Sequence, residues 1–144
     1  MKICKAVKFL MLIGAIVIVS SCNSSKQNES TTVIEKDMIV RMSEIEIFPE
    51  YLEEYKKILK YEAAASVNIE PGVIAIFPMY QIKDSTQVRS VEIYANEEAY
   101  QSHLKTPHFL YYKTETLKMV KDLKLVDMDN IDHETMQKIF KKMK

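Results

Sequence analysis

The chain has 144 residues, and its 20 basic and 20 acidic side chains give a formal net charge of zero. Binding to nucleic acid depends on clustered Lys and Arg, so a balanced chain without a basic face disfavours nucleic acid as a partner. The length suits one small domain, and no internal repeat is present.

The first 22 residues have the pattern of a bacterial export signal that ends in a lipid-attachment site. Three lysines precede an apolar run of 11 residues, 9–19, which is too short to span a bilayer comfortably. The run leads into Val-Ser-Ser-Cys, which resembles a bacterial lipobox, whose cysteine is lipidated and becomes the mature N-terminus. We therefore predict that residues 1–21 are a signal peptide and that Cys22 carries lipid. An ordinary secretory signal with an incidental Cys22 is the alternative.

Cleavage before Cys22 determines what the mature protein contains. It removes three lysines and no acidic residue, which leaves 17 basic and 20 acidic side chains, a net charge of −3. No second cysteine remains, so a disulfide, a thiolate metal site and a cysteine nucleophile are excluded. Polar residues 22–36 predict a flexible tether, and residues 37–144 predict one domain. An aspartate directly after the lipidated cysteine would signal retention in the inner membrane. This chain has Asn23 there, which favours anchoring in a Gram-negative outer membrane, facing the periplasm.

Hydrophobic periodicity predicts four strands and four helices in the domain. The strands are predicted at 38–47, 73–83, 87–95 and 123–128, and the helices at 49–67, 97–104, 107–121 and 133–142. Asn96 and Thr106 are predicted helix N-caps. Pro78 predicts an edge or a bulge in the second strand. Gly72, the only glycine after the signal, predicts a positive φ angle.

The order of the elements, β-α-β-β-α-β, is that of an α+β ferredoxin-like fold, here with an extra C-terminal helix. Helices cover one face of such a sheet. Because the second strand is apolar on both faces, we expect the other face to be covered as well. A two-fold homodimer packed sheet to sheet is the economical arrangement, and the terminal helix of the same chain is the alternative cover.

The residues that can carry chemistry are concentrated between Glu92 and Phe109. This stretch has the pattern E-x-Y-x5-Y-x2-H-x4-H-F. It places a carboxylate, two phenols and two imidazoles on one strand and on the two helices after it. Side-chain alternation puts Ser90, Glu92 and Tyr94 on the same face of the strand.

The same stretch resembles the antibiotic biosynthesis monooxygenase domains, and the resemblance extends over about residues 38–130. It implies a dimeric α+β barrel with a ligand cavity between the sheet and the helices. Some members of that family oxidise electron-rich aromatic substrates without metal or flavin. The resemblance also implies that His103 is a catalytic base assisted by Glu92. The residues then expected to contact the substrate are Tyr94, His108, Phe109 and Tyr112.

Each of these residues also has a purely structural interpretation. His103 could stabilise a helix end, His108 could pack at a helix corner, and the aromatic residues could form core. Glu92 is costly to bury without a partner. A Glu92–His103 pair would satisfy both groups and orient the imidazole as a base. Glu92 could instead form a structural hydrogen bond, or an ion pair with Arg41, with Arg89 or across a dimer.

The sequence predicts neither a metal site nor a cofactor. His103 and His108 are five residues apart with a helix break between them, and no ligand motif occurs. A phosphate-binding glycine loop is also absent. In haem-degrading relatives an iron-binding histidine falls near the position of Lys113, which disfavours haem.

The family resemblance implies a cofactor-independent monooxygenase that acts on a small aromatic or quinol-like molecule, and the lipobox-like signal predicts that its lipid holds it in the cell envelope. A lipid-anchored domain that binds a small hydrophobic molecule without changing it is the alternative. A structural dimer without a ligand is a third possibility.

Overall fold

The structure, a computed structural model, describes residues 37–142. The predicted signal peptide, the lipid-attachment residue Cys22 and the tether lie outside the described residues. Between residues 37 and 142, none of the helices has the length and apolar character needed to cross a bilayer.

The described chain forms one four-stranded antiparallel sheet with helices. The strands are β1 (Ile39–Ile47), β2 (Val73–Tyr80), β3 (Gln87–Tyr94) and β4 (Val120–Met128). The helices are α1 (Leu52–Ile69), α2 (Glu97–His103), α3 (Pro107–Thr116) and α4 (His133–Lys142). The sheet order is β2-β3-β1-β4. This arrangement confirms the predicted α+β ferredoxin-like fold with its additional C-terminal helix.

The boundary between α3 and β4 differs from the prediction. The helix ends at Thr116 rather than near residue 121, and the strand begins at Val120 rather than at residue 123. The backbone N–H of Met119 donates to the carbonyl of Thr116 at 2.8 Å, which closes a turn and buries Met119 in the core. The apolar Met119 makes the helical pattern of the sequence continue past this turn. Its side chain is apolar because it packs in the core, not because it lies on the buried face of a helix.

One face of the sheet packs on the helices around two hydrophobic clusters. The larger cluster joins the sheet to the N-terminal half of α1 and contains Ile45, Ile47, Tyr55, Ile58, Leu59, Val88 and Met119. The smaller one lies toward the C-terminal end of β3 and contains Ala63, Val73, Ile76 and Tyr94. The apolar stripe of α1 recurs at helical spacing, which is why this segment folds as a helix against the sheet.

The opposite face of the sheet carries a row of apolar side chains that crosses all four strands. The strand register aligns Phe77, Val91, Met42 and Val126 from β2 to β4. Phe77 is exposed, and the other three are half-buried. The predicted sheet-to-sheet homodimer would cover this row, and it stays a prediction.

Two predictions about single residues of the β2 region have different outcomes. Pro78 lies on an edge strand, as predicted, since β2 is terminal in the sheet order. The positive φ predicted for Gly72 is wrong, because its φ lies outside the left-handed region. Glycine is needed there for space: a Cβ on Gly72 would lie 2.4 Å from the Cβ of Ala99 on α2.

Gly72→Ala should therefore destabilise the fold by about 1–3 kcal/mol, the usual cost of overpacking a tight contact. Chemical denaturation of the full chain measures the change. Removing the opposing methyl group, in Gly72→Ala combined with Ala99→Gly, should recover part of the loss although glycine weakens α2. If the free energy of unfolding of the double variant falls by the sum of the losses in the two single variants, the steric explanation would be contradicted.

Candidate functional site

Two capped helix starts bring the histidines to one corner of the molecule. The side chain of Asn96 accepts the backbone N–H of Ala99 at 2.9 Å, and the Thr106 hydroxyl accepts that of Phe109 at 3.4 Å. Both predicted N-caps are thereby confirmed. His103 is the last residue of α2 and His108 the second of α3, so the short connection between these helices holds the two imidazoles close together.

Glu70 joins the two imidazoles. It is the residue after α1, directly before the Pro71–Gly72 turn. Its Oε1 lies 3.0 Å from Nδ1 of His103 and 2.6 Å from Nε2 of His108. The three side chains are at most 10% exposed. We call these residues, Glu70, His103 and His108, the Glu–His–His cluster.

The two hydrogen bonds fix the electrostatics of the cluster. Burial by itself would raise the pKa of Glu70 and is the largest contribution. The hydrogen bonds and charges of His103 and His108 together outweigh it and lower the pKa of Glu70 below its ordinary value. Glu70 is therefore a carboxylate that accepts one N–H from each ring. With neutral rings, the hydrogens sit on Nδ1 of His103 and on Nε2 of His108.

A second buried carboxylate lies on the other side of His103. Oε1 of Glu62 is 3.7 Å from Nε2 of His103 and accepts the Ser66 hydroxyl at 2.8 Å. Burial raises the pKa of Glu62 and the charge of Glu92 acts in the same direction, whereas Ser66 and His103 partly offset the rise. His103 thus stands between an ionised carboxylate and one that burial pushes toward the protonated form.

The raised pKa of Glu62 predicts a pH dependence of stability. Its folded-state pKa lies above the ordinary value of 4.5, so above pH 4.5 the folded chain holds this proton longer than the unfolded chain. The contribution of Glu62 to the free energy of unfolding therefore falls as pH rises through the folded pKa. Glu62→Gln removes this titration. Denaturation at a series of pH values should show the variant gaining stability relative to the wild type as pH rises, and a constant difference would refute this.

Of the alternatives left open for Glu92, the structure shows structural hydrogen bonds and, among the described residues, no Glu92–His103 pair. Glu92 accepts hydrogen bonds from the hydroxyls of Ser43 on β1 and of Tyr94 on its own strand, the latter at 3.1 Å. Burial raises the pKa of Tyr94, and Glu92 raises it further, so the phenol stays protonated and donates. Among the described residues, Glu92 therefore finds its hydrogen-bond donors within the sheet, because the strand register brings Ser43 within reach.

Neither arginine considered for Glu92 pairs with it in the described part of the chain. Arg41 stands opposite Glu92 in the register but forms an ion pair with Asp127 at 2.7 Å. Its guanidinium also lies 4.6 Å from the centre of the Tyr100 ring. The Arg89 side chain donates to the carbonyl of Val88 at 2.7 Å.

Polar side chains separate the two hydrophobic clusters of the core. We call Ser43, Glu62, Ser90 and Glu92 the interior polar belt. Ser90, Glu92 and Tyr94 share one face of β3, as predicted, and in the structure this face is turned toward the helices. The Oγ of Ser90, a residue only 2% exposed, has no hydrogen-bond partner among the described residues. A buried hydroxyl without a partner is unusual in a folded protein.

A surface cavity of about 570 Å³ lies between α1 and α3 and reaches the Glu–His–His cluster. Its size falls in the range of small-molecule sites. Its lining residues are Glu54, Lys57, Ile58, Tyr61, Pro107, His108, Tyr111 and Glu115. A second cavity, of about 340 Å³, lies between α1 and the β2–β3 hairpin. The cavity beside the cluster is thus bounded by two helices, whereas the sequence predicted one between sheet and helices.

Of the four residues predicted to contact a substrate, His108 lines the larger cavity. The other three belong to a continuous series of aromatic contacts around His103. The centre of the His103 ring lies 5.3 Å from that of Tyr94 and 4.7 Å from that of Phe109. Phe109 in turn contacts Tyr112, whose hydroxyl is 2.8 Å from that of Tyr55. Contacts of Tyr94, Phe109 and Tyr112 with a ligand stay predictions.

Glu70 and Glu62 are the site residues that sequence reasoning missed. Glu62 lies on the buried stripe of α1, in line with Tyr55, Leu59 and Ser66, and a carboxylate in an apolar stripe is a usable signal. For Glu70 the sequence offers only a weak signal, namely a carboxylate directly before a Pro-Gly turn. The spacing of His103 and His108 in the sequence does not indicate a metal site, but the fold places Glu70 beside both rings and so adds a third atom of ligand type.

The fold and the site define an α+β protein with a buried Glu–His–His cluster beside a small-molecule-sized cavity. The profile of the family described as antibiotic biosynthesis monooxygenase matches residues 38–115. A solved protein from Bacteroides thetaiotaomicron VPI-5482, named for the same activity, is 42% identical, with a TM-score of 0.68. That match covers 69% of this chain and 94% of the other. The chain therefore belongs to the antibiotic biosynthesis monooxygenase family.

More distant structures share the architecture. A protein from Lactobacillus acidophilus NCFM named as a monooxygenase is 27% identical over 65% of this chain and 50% of its own, with a TM-score of 0.61. A protein from Nitrosomonas europaea is 18% identical over 67% of this chain and 92% of its own, with a TM-score of 0.63. At that identity the likeness is one of fold. Among proteins of curated function, none matches the chain significantly.

Proposed function

We propose that this protein is a cofactor-independent monooxygenase that binds a small aromatic, quinol-like molecule in the cavity between α1 and α3. The single observation that carries the proposal is the position of His108. It lines that cavity while its Nε2 is held at 2.6 Å by the Glu70 carboxylate. An imidazole held by a carboxylate beside a cavity is the usual arrangement of a general base.

The tautomer of His108 determines which of its nitrogens can act as the base. Because Nε2–H of His108 donates to Glu70, the lone pair of a neutral ring is on Nδ1 and can accept the hydroxyl proton of a bound quinol. The Glu70 carboxylate then stabilises the imidazolium that forms. The deprotonated quinol is electron-rich and reacts directly with dioxygen. One oxygen atom enters the ring and the other leaves as water, so the substrate supplies all four electrons and becomes a hydroxyquinone. Family membership supports the oxygen chemistry.

The cavity suits such a substrate. Tyr61, Tyr111 and Pro107 offer flat apolar surfaces to an aromatic ring, and Lys57 offers a cation to an oxyanion. In this proposal His103 supports the base through the shared carboxylate and does not itself meet the substrate. Glu92 stands apart from the Glu–His–His cluster and belongs to the interior polar belt.

The experiment is oxygen uptake by the chelator-treated full chain with hydroquinone as the probe, corrected for autoxidation with heat-denatured protein. Saturable uptake supports the proposal. Saturable binding of hydroquinone without uptake would reject catalysis on this probe and favour the alternative, a domain that binds a small hydrophobic molecule. Absence of both would reject the cavity as a site for this class of molecule.

The lipid anchor and the homodimer belong to the same proposal. The lipobox-like sequence at Cys22 supports attachment to the outer membrane, facing the periplasm, and Cys22→Ser should release the protein from the membrane fraction. The apolar row of Phe77, Val91, Met42 and Val126 supports a dimer through the sheet face. Light scattering should give the mass of a dimer, and Phe77→Glu should give that of a monomer.

A further inference from the structure

We propose that the Glu–His–His cluster is also a binding site for one divalent transition-metal ion of the zinc and iron type. Three ligand atoms converge there from three separate segments: a carboxylate oxygen of Glu70, Nδ1 of His103 and Nε2 of His108. All lie within 4.8 Å of one another. A carboxylate with two imidazoles is a donor set that transition metals bind in many proteins.

The spacing of the ligand atoms fits an ion with little rearrangement. Bonds of about 2.0–2.2 Å in tetrahedral geometry separate neighbouring ligand atoms by about 3.3 Å. The carboxylate oxygen is 3.0 Å from His103 Nδ1 and 2.6 Å from His108 Nε2. To admit the ion, the carboxylate oxygen would have to move about 0.3 Å away from His103 Nδ1 and about 0.7 Å away from His108 Nε2, which small changes of side-chain torsions can supply.

Glu62 supplies the outer support that metal-binding histidines require. A histidine that binds metal through one nitrogen usually donates its other N–H to a carboxylate or carbonyl. When His103 Nδ1 binds the ion, its hydrogen moves to Nε2, which lies 3.7 Å from Oε1 of Glu62. Glu62 is itself held by the Ser66 hydroxyl. A closer approach of about half an ångström would let the Nε2–H of a metal-bound His103 donate to this buried carboxylate.

The cluster is accessible, and its ligands discriminate between ions. The cavity between α1 and α3 reaches His108, which gives the ion a path from solvent. Three protein ligands leave at least one coordination position for water or a small molecule. Two imidazole nitrogens favour Zn²⁺, Fe²⁺ or Co²⁺ over Mg²⁺ and Ca²⁺, which prefer oxygen ligands.

While a metal ion is bound to His108, this residue cannot act as the general base. An ion on Nε2 of His108 requires the hydrogen of the ring to sit on Nδ1, which can then no longer accept a proton from a substrate. The metal site does not depend on the proposed oxygenase function, because binding can be measured without any reaction. Binding without activity, or activity without binding, would separate the two proposals.

The test is calorimetric titration of the chelator-treated full chain, purified without a histidine tag, with Zn²⁺ and with Co²⁺. We expect one ion per chain, and Co²⁺ should develop the visible absorption of a low-coordinate nitrogen and oxygen site. Glu70→Gln and His108→Ala should each weaken binding by about 100-fold or more, beyond the 10- to 100-fold typical of outer-shell changes. Glu98→Gln, an exposed carboxylate on the helix that carries His103, is the matched control and should bind as the wild type does.

Glu62→Gln keeps the shape of the buried side chain and provides a second variant should a ligand substitution impair folding. It should weaken Zn²⁺ binding by about 10- to 100-fold while circular dichroism stays that of the wild type. Zn²⁺ should also raise the melting temperature of the wild type and not that of folded ligand variants. Absence of saturable binding, or binding that survives all of these substitutions, would overturn the proposal.

Discussion

His108→Gln should lower oxygen turnover with hydroquinone by about 100- to 10,000-fold, the usual contribution of a general base. The glutamine amide can still donate to Glu70 from nearly the place of Nε2, but it cannot accept a proton. Because the cavity keeps most of its lining, the KM for hydroquinone should change far less than kcat. Oxygen-electrode kinetics over a range of hydroquinone concentrations separate the two parameters.

Two controls decide whether a loss in His108→Gln is chemical or structural. Glu98→Gln should retain the wild-type rate, since it changes an exposed carboxylate outside the cluster. Added imidazole should restore part of the rate of His108→Ala, because the free ring can enter the space left beside Glu70. Equal kcat in the wild type and His108→Gln would remove His108 from the chemistry.

Tyr55→Ala should have the largest effect on stability, about 3–5 kcal/mol, as for other large aromatic side chains removed from a core. Tyr55 is fully buried in the larger hydrophobic cluster, with its ring edge-on to Tyr112 at 6.1 Å between centres. Its hydroxyl is 2.8 Å from that of Tyr112, so truncation also leaves a buried hydroxyl without its partner. Urea denaturation of the full chain measures the change.

The same helix provides a matched control for Tyr55. Tyr61 is 58% exposed, and Tyr61→Ala should cost less than about 1 kcal/mol. Tyr55→Phe should fall between the two, at about 1–3 kcal/mol, because only the hydrogen bond is lost. Similar costs for Tyr55→Ala and Tyr61→Ala would show that the interior around Tyr55 is not tightly packed.

The sequence predicted the fold because the signals that determine it are local. Alternation in β3 gave the correct facing of Ser90, Glu92 and Tyr94, and the caps at Asn96 and Thr106 gave the helix starts. The predicted end of α3 was wrong because the signal that sets it is not local. Where the helix stops depends on the burial of Met119 against distant residues, which periodicity along the chain does not report.

The site was predicted only in part because its partners are fixed by tertiary contacts. His103 and His108 were correctly selected by residue type, and the structure brings them together. Their common partner, Glu70, is 33 residues before His103 and 38 before His108, at the end of another helix. The partner of Glu92 was left open between His103, an arginine and a structural hydrogen bond, because the strand register that brings Ser43 within reach cannot be read from one strand.

Nitrogen-15 NMR of the two imidazoles tests the central claim most directly, namely that Glu70 holds His103 and His108 in one site. At a pH where both rings are neutral, the hydrogen should reside on Nδ1 of His103 and on Nε2 of His108. Glu70→Ala should shift the signals of both rings together, while Glu98→Ala leaves them in place. Ring signals that are the same in the wild type and in folded Glu70→Ala would contradict the shared carboxylate on which the proposed base and the proposed metal site both depend.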